Sequence, residues 1–162
     1  KVSALADLDA ALDIAFAEDD KALIESALVG REVECGVLSG RDGGPPRVSV
    51  AGEIVVVGRE FYDYDAKYLD PDAAKLVCPA ELTAAELAEM QSLAARAFEA
   101  IGASGLARID FFLTADGFVV NEINTMPGFT PISMFPTCWI NTGLSYPNLI
   151  DELITLGLEA SR

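Results

Sequence analysis

Hydrophobic side chains recur at helical spacing in three parts of the chain. Near the start, the recurrence of Leu5, Leu8, Leu12, Ala15 and Phe16 predicts an amphipathic helix over about residues 7–18. Thr83 and Glu86 have the Thr-x-x-Glu spacing of a capping box, so a second helix is expected to begin there and to end at Gly102. A third helix is expected to include residues 149–156, capped by Ser145 or Asn148.

Between these helices the pattern changes to alternation and to short apolar runs, which predict strands. Residues 31–38 alternate, which places Val33, Cys35 and Val37 on one face and Glu32 and Glu34 on the other. Further strands are predicted over 22–29, 47–50, 53–57, 106–113 and 118–123, the last two joined in a hairpin at Asp116-Gly117. Turns or loops are expected at 40–46, 59–71 and 125–136. The fold class is α+β, an antiparallel sheet with flanking helices.

Composition narrows the chemistry that this fold can carry. The chain has 162 residues, is 51% hydrophobic and has a net charge of −15, which indicates a globular protein and argues against nucleic acid or an anionic membrane as partner. It contains no histidine, which excludes imidazole bases and His-ligated zinc or iron. Its three cysteines form no Cys-x-x-Cys motif, which favours free, buried thiols and a cytoplasmic location. No apolar run approaches the ~20 residues of a membrane span.

The hairpin carries the most informative polar residues. Arg108, Asp110 and Phe112 alternate with apolar residues and share one face of the first strand, while Glu122 and Asn124 share one face of the second. A three-residue turn, 115–117, would place Asp110 opposite Glu122 and Arg108 opposite Asn124. A two-residue Asp-Gly turn would instead put the two carboxylates on opposite faces. The expected site therefore depends on the turn.

Two opposed carboxylates are destabilising unless a cation lies between them. Oxygen ligands of this kind suit Mg²⁺ or Mn²⁺, and Arg108 would supply positive charge for a transferring phosphoryl group. Backbone N–H groups of Thr125, Met126 and Gly128 follow directly. The pattern therefore favours metal-assisted phosphoryl or acyl-phosphate chemistry. The alternative is a solvated face on which Arg108 only pairs with Asp110 or Glu122.

Three stretches resemble the D-alanine–D-alanine ligase family of ATP-grasp enzymes: FYDYDAKY (61–68), RIDFF (108–112) and NEINTMPGFTPISMFP (121–136). The resemblance extends over essentially the whole chain. It implies that residues 1–31 form the end of the central ATP-grasp subdomain and residues 32–162 the C-terminal ATP-grasp domain. The family's N-terminal domain and glycine-rich phosphate loop have no counterpart here. Because the chain also begins without methionine and soon enters a helical pattern, we expect a piece of a larger protein.

The resemblance also implies residue roles. The metal ligands, for two Mg²⁺ ions with Mn²⁺ as an alternative, would be Asp110, Glu122 and Asn124. The catalytic groups would be Arg108, Lys67, Tyr68 and the backbone N–H of Gly128. ATP would be bound by Glu25, Ala27, Leu28, Glu32, Lys67 and Phe112. The second D-alanine would be bound by Tyr68, Gly128, Ser133 and Met134.

The implied activity is ATP-dependent joining of two D-alanines through D-alanyl phosphate, for peptidoglycan precursors, in the cytoplasm. The partners would be D-alanine, ATP and the missing N-terminal half, with a homodimer as a further expectation. The chain alone is expected to be inactive. One alternative is a relative that uses D-lactate or another ATP-grasp ligase; Tyr68 and the absence of histidine favour the dipeptide-forming enzyme. A second alternative is a non-catalytic, acidic metal-binding module.

Overall fold

A computed structural model describes residues 1–56 and 74–160. In this part of the chain five strands form one antiparallel sheet in the order β3-β2-β1-β4-β5. The strands are β1 (Arg31–Leu38), β2 (Arg47–Val56), β3 (Ala74–Val77), β4 (Leu106–Thr114) and β5 (Gly117–Asn124). The expected α+β class with an antiparallel sheet is confirmed, and β1 has the predicted bounds.

The helices are α1 (Leu8–Glu18), α2 (Ala84–Ala100), α3 (Met134–Asn141) and α4 (Tyr146–Ala160). Helix α2 covers one face of the sheet, where Met90, Ala94 and Phe98 pack against apolar side chains of β1, β2 and β4. Helices α3 and α4 cover the other face through a cluster that includes Leu38, Trp139 and Leu149. The molecule therefore has three layers, with the sheet in the middle.

Helix α2 begins as the capping-box pattern predicts. Thr83 Oγ1 accepts from the Glu86 backbone N–H at 3.2 Å, and Glu86 Oε2 accepts from the Thr83 backbone N–H at 2.7 Å. Gly102, with a φ of +65°, follows the helix as expected. Helix α4 begins at Tyr146, directly after the predicted cap Ser145, whose Oγ accepts from the Asn148 backbone N–H at 3.4 Å.

Strand β1 is covered on both faces, because it lies at the centre of the sheet between α2 and α3. Val33, Cys35 and Val37 face α2, as expected. Glu34 lies on the other face, as the alternation predicts, but it is only 3% exposed. The sequence of β1 alone does not indicate that a helix from near the end of the chain packs over this second face.

The predicted strand pair at 47–50 and 53–57 is wrong, because residues 47–56 form one continuous strand, β2. Its pairing with β1 is irregular between Cys35 and Val37. At this point the buried Ser49 Oγ accepts from the Gly36 backbone N–H at 2.8 Å. A side-chain hydroxyl thus replaces a strand hydrogen bond and lets β2 continue past the irregularity.

The N-terminal predictions are only partly right. Helix α1 forms, but none of its residues is buried, so its apolar stripe has no core beneath it within the described residues. The strand predicted over 22–29 does not form. A strand needs a hydrogen-bonded neighbour, and none of the described strands pairs with this segment. Leu23 and Val29 are correspondingly 89% and 91% exposed.

The expected loop over 125–136 ends earlier than predicted, because α3 begins at Met134. Pro136 lies in the first turn of this helix, where a missing backbone N–H costs no helical hydrogen bond. The cysteines are free, as expected; Cys35 and Cys138 are buried, whereas Cys78 is half-buried. Within the described residues, no helix has the length and apolar character to cross a membrane.

The hairpin turn differs from the prediction. Thr114 pairs with Gly117, so the turn has two residues, Ala115 and Asp116, rather than three. Thr114 Oγ1 accepts from the Asp116 backbone N–H at 3.2 Å and donates to the Gly117 carbonyl oxygen at 2.9 Å. Gly117 has a φ of +111°, which favours glycine.

A β-bulge in β5 corrects the register that this shorter turn would set. Phe111 pairs with Val120, but the next residue, Asp110, pairs with Glu122, so Asn121 is an extra residue in β5. Beyond the bulge, Arg108 pairs with Asn124. The predicted pairing of Asp110 with Glu122 is therefore confirmed, although the turn on which the prediction depended is wrong.

Candidate functional site

A row of carboxylates crosses three neighbouring strands on the face of the sheet that carries α3. Glu34 on β1 is opposite Asp110 on β4, and Asp110 is opposite Glu122 on β5. Neighbouring strands lie about 4.8 Å apart, so each side chain of the row lies next to the one on the adjacent strand. Glu34 is buried, Asp110 is half-buried and Glu122 is exposed, so the row runs from the protein interior to solvent.

Arg108 lies among these carboxylates. Its Nε donates to Asp110 Oδ1 and its Nη2 to Asp110 Oδ2, both at 2.7 Å. The same Nε forms an ion pair with Glu34 Oε2. Within the described residues Nη1 makes no hydrogen bond, so its two N–H groups are donors that a bound anion could use.

The surroundings keep this guanidinium charged. Burial acts to lower the pKa of Arg108, but the hydrogen bond to Asp110 and the charges of Glu34, Asp110 and Glu122 together raise that pKa above its usual value. Both sequence-based interpretations thus have a basis in the geometry. Arg108 does pair with Asp110, and the carboxylates and Asn124 also share one face, as a metal site needs.

Glu34 is the residue at this site that the sequence analysis missed. Strand alternation places it on the same face as Glu32, and nothing in that pattern distinguishes the two. The available signal was indirect: Gly36 lies in the middle of a strand, where glycine often marks a close approach by another element. A Cβ on Gly36 would lie 2.5 Å from Trp139 Nε1, so α3 packs directly over β1 beside Glu34.

The loop after β5 brings further predicted residues to the same face. Asn124 Oδ1 accepts from the Met126 backbone N–H at 3.1 Å, so this amide orders the start of the loop. Gly128 is exposed, and a Cβ at this position would lie 3.0 Å from Ser133 Oγ. Ser133 Oγ accepts from the Thr130 backbone N–H at 3.0 Å. Gly128 and Ser133 therefore lie together, immediately before α3.

Met134 contributes differently from its neighbours. Its side chain is buried against β2, where a Cβ on Gly52 would lie 2.2 Å from Met134 Sδ. A side chain held in this way anchors the first turn of α3. What Met134 can offer a ligand is therefore its backbone.

The residues predicted to bind ATP fall into two groups. Glu32 and Phe112 are register partners on β1 and β4 and share the face that carries Asp110. Glu25, Ala27 and Leu28 lie in the exposed, irregular segment before β1, not in a strand. The structure therefore places Glu32 and Phe112 with the carboxylate row but not the other three. Lys67 and Tyr68 lie outside the described residues.

The donor set of this face fits a hard divalent cation. Asp110 and Glu122 offer carboxylate oxygens and Asn124 an amide oxygen, the ligand types that Mg²⁺ prefers. In the described parts of the chain, no three His, Cys, Asp or Glu side chains converge on one point. Mg²⁺ does not require such a cage, because it is commonly bound by one or two carboxylates together with substrate phosphates and water.

Comparisons with known proteins agree with this geometry. Residues 1–155 match the family described as D-ala D-ala ligase C-terminus. A D-alanine–D-alanine ligase of Pseudarthrobacter chlorophenolicus is 55% identical over 161 residues, which are 98% of this chain and 42% of the relative. The chain thus spans less than half the length of the curated relatives that it matches.

Solved structures give the same result. The D-alanine-D-alanine ligase of Coxiella burnetii matches with a TM-score of 0.81 and 35% identity, over 98% of this chain and 40% of that one. The VanG D-Ala:D-Ser ligase of Enterococcus faecalis matches with a TM-score of 0.80 and 36% identity, over 94% of this chain and 43% of that one. The chain therefore belongs to the D-alanine–D-alanine ligase family and corresponds to its C-terminal part.

Proposed function

We propose that this chain is the ATP-grasp C-terminal part of a cytoplasmic enzyme that joins two D-alanines, with consumption of ATP, for peptidoglycan precursors. It works together with an amino-terminal portion such as the longer relatives have. Residues 1–31 belong to the central subdomain and residues 32–162 to the C-terminal domain. One observation carries the proposal: the bulge at Asn121 brings Glu122 opposite Asp110, beside Arg108 and Asn124, on one face.

The reaction has two steps. The carboxylate of the first D-alanine attacks the γ-phosphorus of ATP, the bond to the ADP oxygen breaks, and D-alanyl phosphate forms. The amine of the second D-alanine then attacks the carbonyl carbon of this acyl phosphate. Inorganic phosphate leaves and the amine loses a proton. Neither step requires a histidine in this part of the protein.

Arg108 stabilises the charge that both steps develop. Its Nη1 faces no partner among the described residues, so it can donate to a phosphoryl oxygen while Nε and Nη2 stay bound to Asp110. The backbone N–H of Gly128 supports the oxygen of the tetrahedral intermediate. Ser133 and the backbone of Met134 hold the carboxylate of the second D-alanine near the start of α3.

Asp110, Glu122 and Asn124 would hold the divalent cations, Mg²⁺ or Mn²⁺, which neutralise phosphate charge when bound. Glu32 accepts from ribose hydroxyls, Phe112 lies beside the nucleotide, and Glu25, Ala27 and Leu28 read the adenine edge. The irregular segment 22–29 would become ordered against the amino-terminal portion. Lys67 contacts the transferred phosphate, and Tyr68 closes over the second substrate.

The test uses the complete ligase that contains this chain, with D-alanine, ATP and Mg²⁺. We expect D-alanyl-D-alanine and ADP in equal amounts, and a loss of kcat of about 10² or more in Asp110→Asn and in Glu122→Gln. Asp116→Asn, in the hairpin turn, is the matched control and should behave as wild type. If the two site variants kept wild-type kcat, the metal assignment would be wrong.

Two further measurements separate the alternatives. D-lactate and D-serine, offered in place of the second D-alanine, identify a ligase with a different acceptor by the product formed. A protein that binds an ATP analogue in the presence of Mg²⁺ but forms no product would instead be a non-catalytic binding module. The isolated 162 residues should release no phosphate from ATP with D-alanine.

A further inference from the structure

Glu34 is the buried end of the carboxylate row that also contains the proposed metal ligands. It is 3% exposed and lies on the central strand, with Arg108 beside it. We propose that Glu34 is a positioning residue, which holds the Arg108 guanidinium in place when Asp110 engages a cation. This inference rests on the proposed function, since it assigns Glu34 a task in the same site.

Burying the charge of Glu34 costs free energy. A carboxylate on the central strand of a covered sheet is stable as an ion only if it has a charged or hydrogen-bonding partner. Glu34 has Arg108 as its ion-pair partner, and the Arg108 side chain is itself only 12% exposed. The pair therefore lies in surroundings where charges interact more strongly than they would in water.

Arg108 is shared between Asp110 and Glu34. Its Nε contacts Asp110 Oδ1 and also forms the ion pair with Glu34 Oε2. Asp110 directs both of its oxygens toward Arg108. A divalent cation that binds Asp110 would compete with the guanidinium for these oxygens and would repel it. Glu34 contacts the same Nε and is a second anion that would hold the guanidinium in place against that repulsion.

The backbone at Glu34 is itself held in place by α3. Helix α3 packs over β1 here: Cys138 Sγ lies 3.8 Å from the Glu34 carbonyl oxygen, and Trp139 lies over Gly36. Glu122, the other carboxylate of the row, is exposed and lies on the opposite side of Asp110, so it cannot replace Glu34. Arg108 on β4 is thus contacted from β1, the strand over which α3 packs.

The experiment measures metal affinity as well as catalysis, in the complete ligase. Mn²⁺ binding is followed by electron paramagnetic resonance in the presence of a non-hydrolysable ATP analogue, and kcat and KM are measured with D-alanine and ATP. The variants are Glu34→Gln, Glu34→Asp, Arg108→Gln and the double variant with Glu34→Gln. The matched control is Glu53→Gln, which breaks another ion pair of the sheet, between Glu53 on β2 and Arg31 on β1.

We expect Glu34→Gln to raise the Kd of Mn²⁺ by about fivefold or more and to lower kcat by about tenfold, with KM for ATP changed less than about twofold. Glu34→Asp, which retains the charge, should restore the Kd of Mn²⁺ to within about twofold of wild type. Glu53→Gln should leave both quantities unchanged. A purely structural role for Glu34 would not produce this dependence of metal affinity on charge.

The double variant tests whether Glu34 acts through Arg108. In the Arg108→Gln background, removal of the Glu34 charge should change the Kd of Mn²⁺ by less than about 1.5-fold. An equal loss of affinity with and without Arg108 would overturn the proposal, since it would indicate direct attraction between Glu34 and the metal. Wild-type affinity and kcat in Glu34→Gln would overturn it as well.

Two safeguards keep the result interpretable. If Glu34→Gln does not fold, Arg108→Gln is compared with the double variant, in which neither Glu34 nor Arg108 is left without the other, and a change in the Kd of Mn²⁺ above about 1.5-fold between them would overturn the proposal. If the wild-type ligase forms no dipeptide, the proposed function fails, whereas a wild-type ligase that is active together with an unaffected Glu34→Gln refutes only the role of Glu34.

Discussion

Replacing Glu152 with Gln tests how α4 is attached to the sheet. Glu152 Oε1 accepts from Arg41 Nε at 2.9 Å, and the two carboxylate oxygens also accept from Nη2 of Arg41 and of Arg47. Arg41 lies in the turn after β1 and Arg47 begins β2, so one buried carboxylate joins α4 to both strands. Glu152→Gln keeps the shape of the side chain but removes its charge.

The magnitude follows from the pKa of this carboxyl. The hydrogen bond from Arg41, with a further contribution from Arg47, lowers the pKa of Glu152 from 4.5 to about 2. Such a shift corresponds to about 3 kcal/mol of stability at neutral pH. The Arg41 and Arg47 side chains are 46% and 40% exposed, so solvent screening reduces the expected value to about 1.5–2 kcal/mol.

The sign of the pH dependence is set by the lowered pKa. The stabilisation is fully present above pH 4.5 and disappears as the pH falls from 4.5 towards 2, because the native carboxylate then becomes protonated. Denaturant unfolding, followed by the fluorescence of the single, buried Trp139, measures the free energy of unfolding between pH 7 and pH 2.5.

The free energy of unfolding of wild type should exceed that of Glu152→Gln by about 1.5–2 kcal/mol at pH 7. This difference should shrink steadily below pH 4.5. Asp151→Asn, at the exposed neighbouring position, is the control and should show no such pH-dependent difference. A difference between wild type and Glu152→Gln that was the same at pH 3 as at pH 7 would refute the ion-pair reasoning.

Three further predictions test other contacts. Thr83→Ala should lower the free energy of unfolding by about 1 kcal/mol, because it removes the α2 cap, whereas Thr83→Ser should retain it; thermal or denaturant unfolding decides. Gly52→Ala should destabilise by about 1–3 kcal/mol through a clash with Met134, and an unchanged unfolding midpoint would contradict the packing of α3. In the complete ligase, Arg108→Lys should lower kcat by a factor of about 10², since lysine cannot reproduce the bidentate contact with Asp110. Steady-state kinetics with D-alanine measure this, and an unchanged kcat would contradict the role assigned to Arg108.

The elements that were predictable are those specified by nearby residues. The alternation of 31–38, the capping box at Thr83 and Glu86, and the two strands of the hairpin each depend on residues close together in the chain. Helix α3 was missed because it is short and its apolar residues lie on several sides. Pro136 also favoured the prediction of a loop, although proline is compatible with the first turn of a helix.

The residue types of the candidate site were predictable from the sequence, but the burial of the site was not. The hairpin pattern identified Arg108, Asp110 and Glu122, because strand alternation and cross-strand pairing are local. Glu34 joins them only because β1 becomes the central strand and α3 covers it, and both facts depend on contacts distant in sequence. The strand prediction for 22–29 is wrong for the opposite reason. Its apolar residues match a strand pattern, yet no strand in the described part of the chain pairs with it.

The bulge at Asn121 has a consequence for how insertions and deletions can accumulate in relatives. A chain that lost this residue but gained one in the turn after Thr114 would have a three-residue turn, an unbulged β5 and the same pairing of Asp110 with Glu122. Two length changes, each disruptive alone, would thus compensate one another. Alignments of this hairpin are therefore better anchored on the face that a residue occupies than on its distance from the turn.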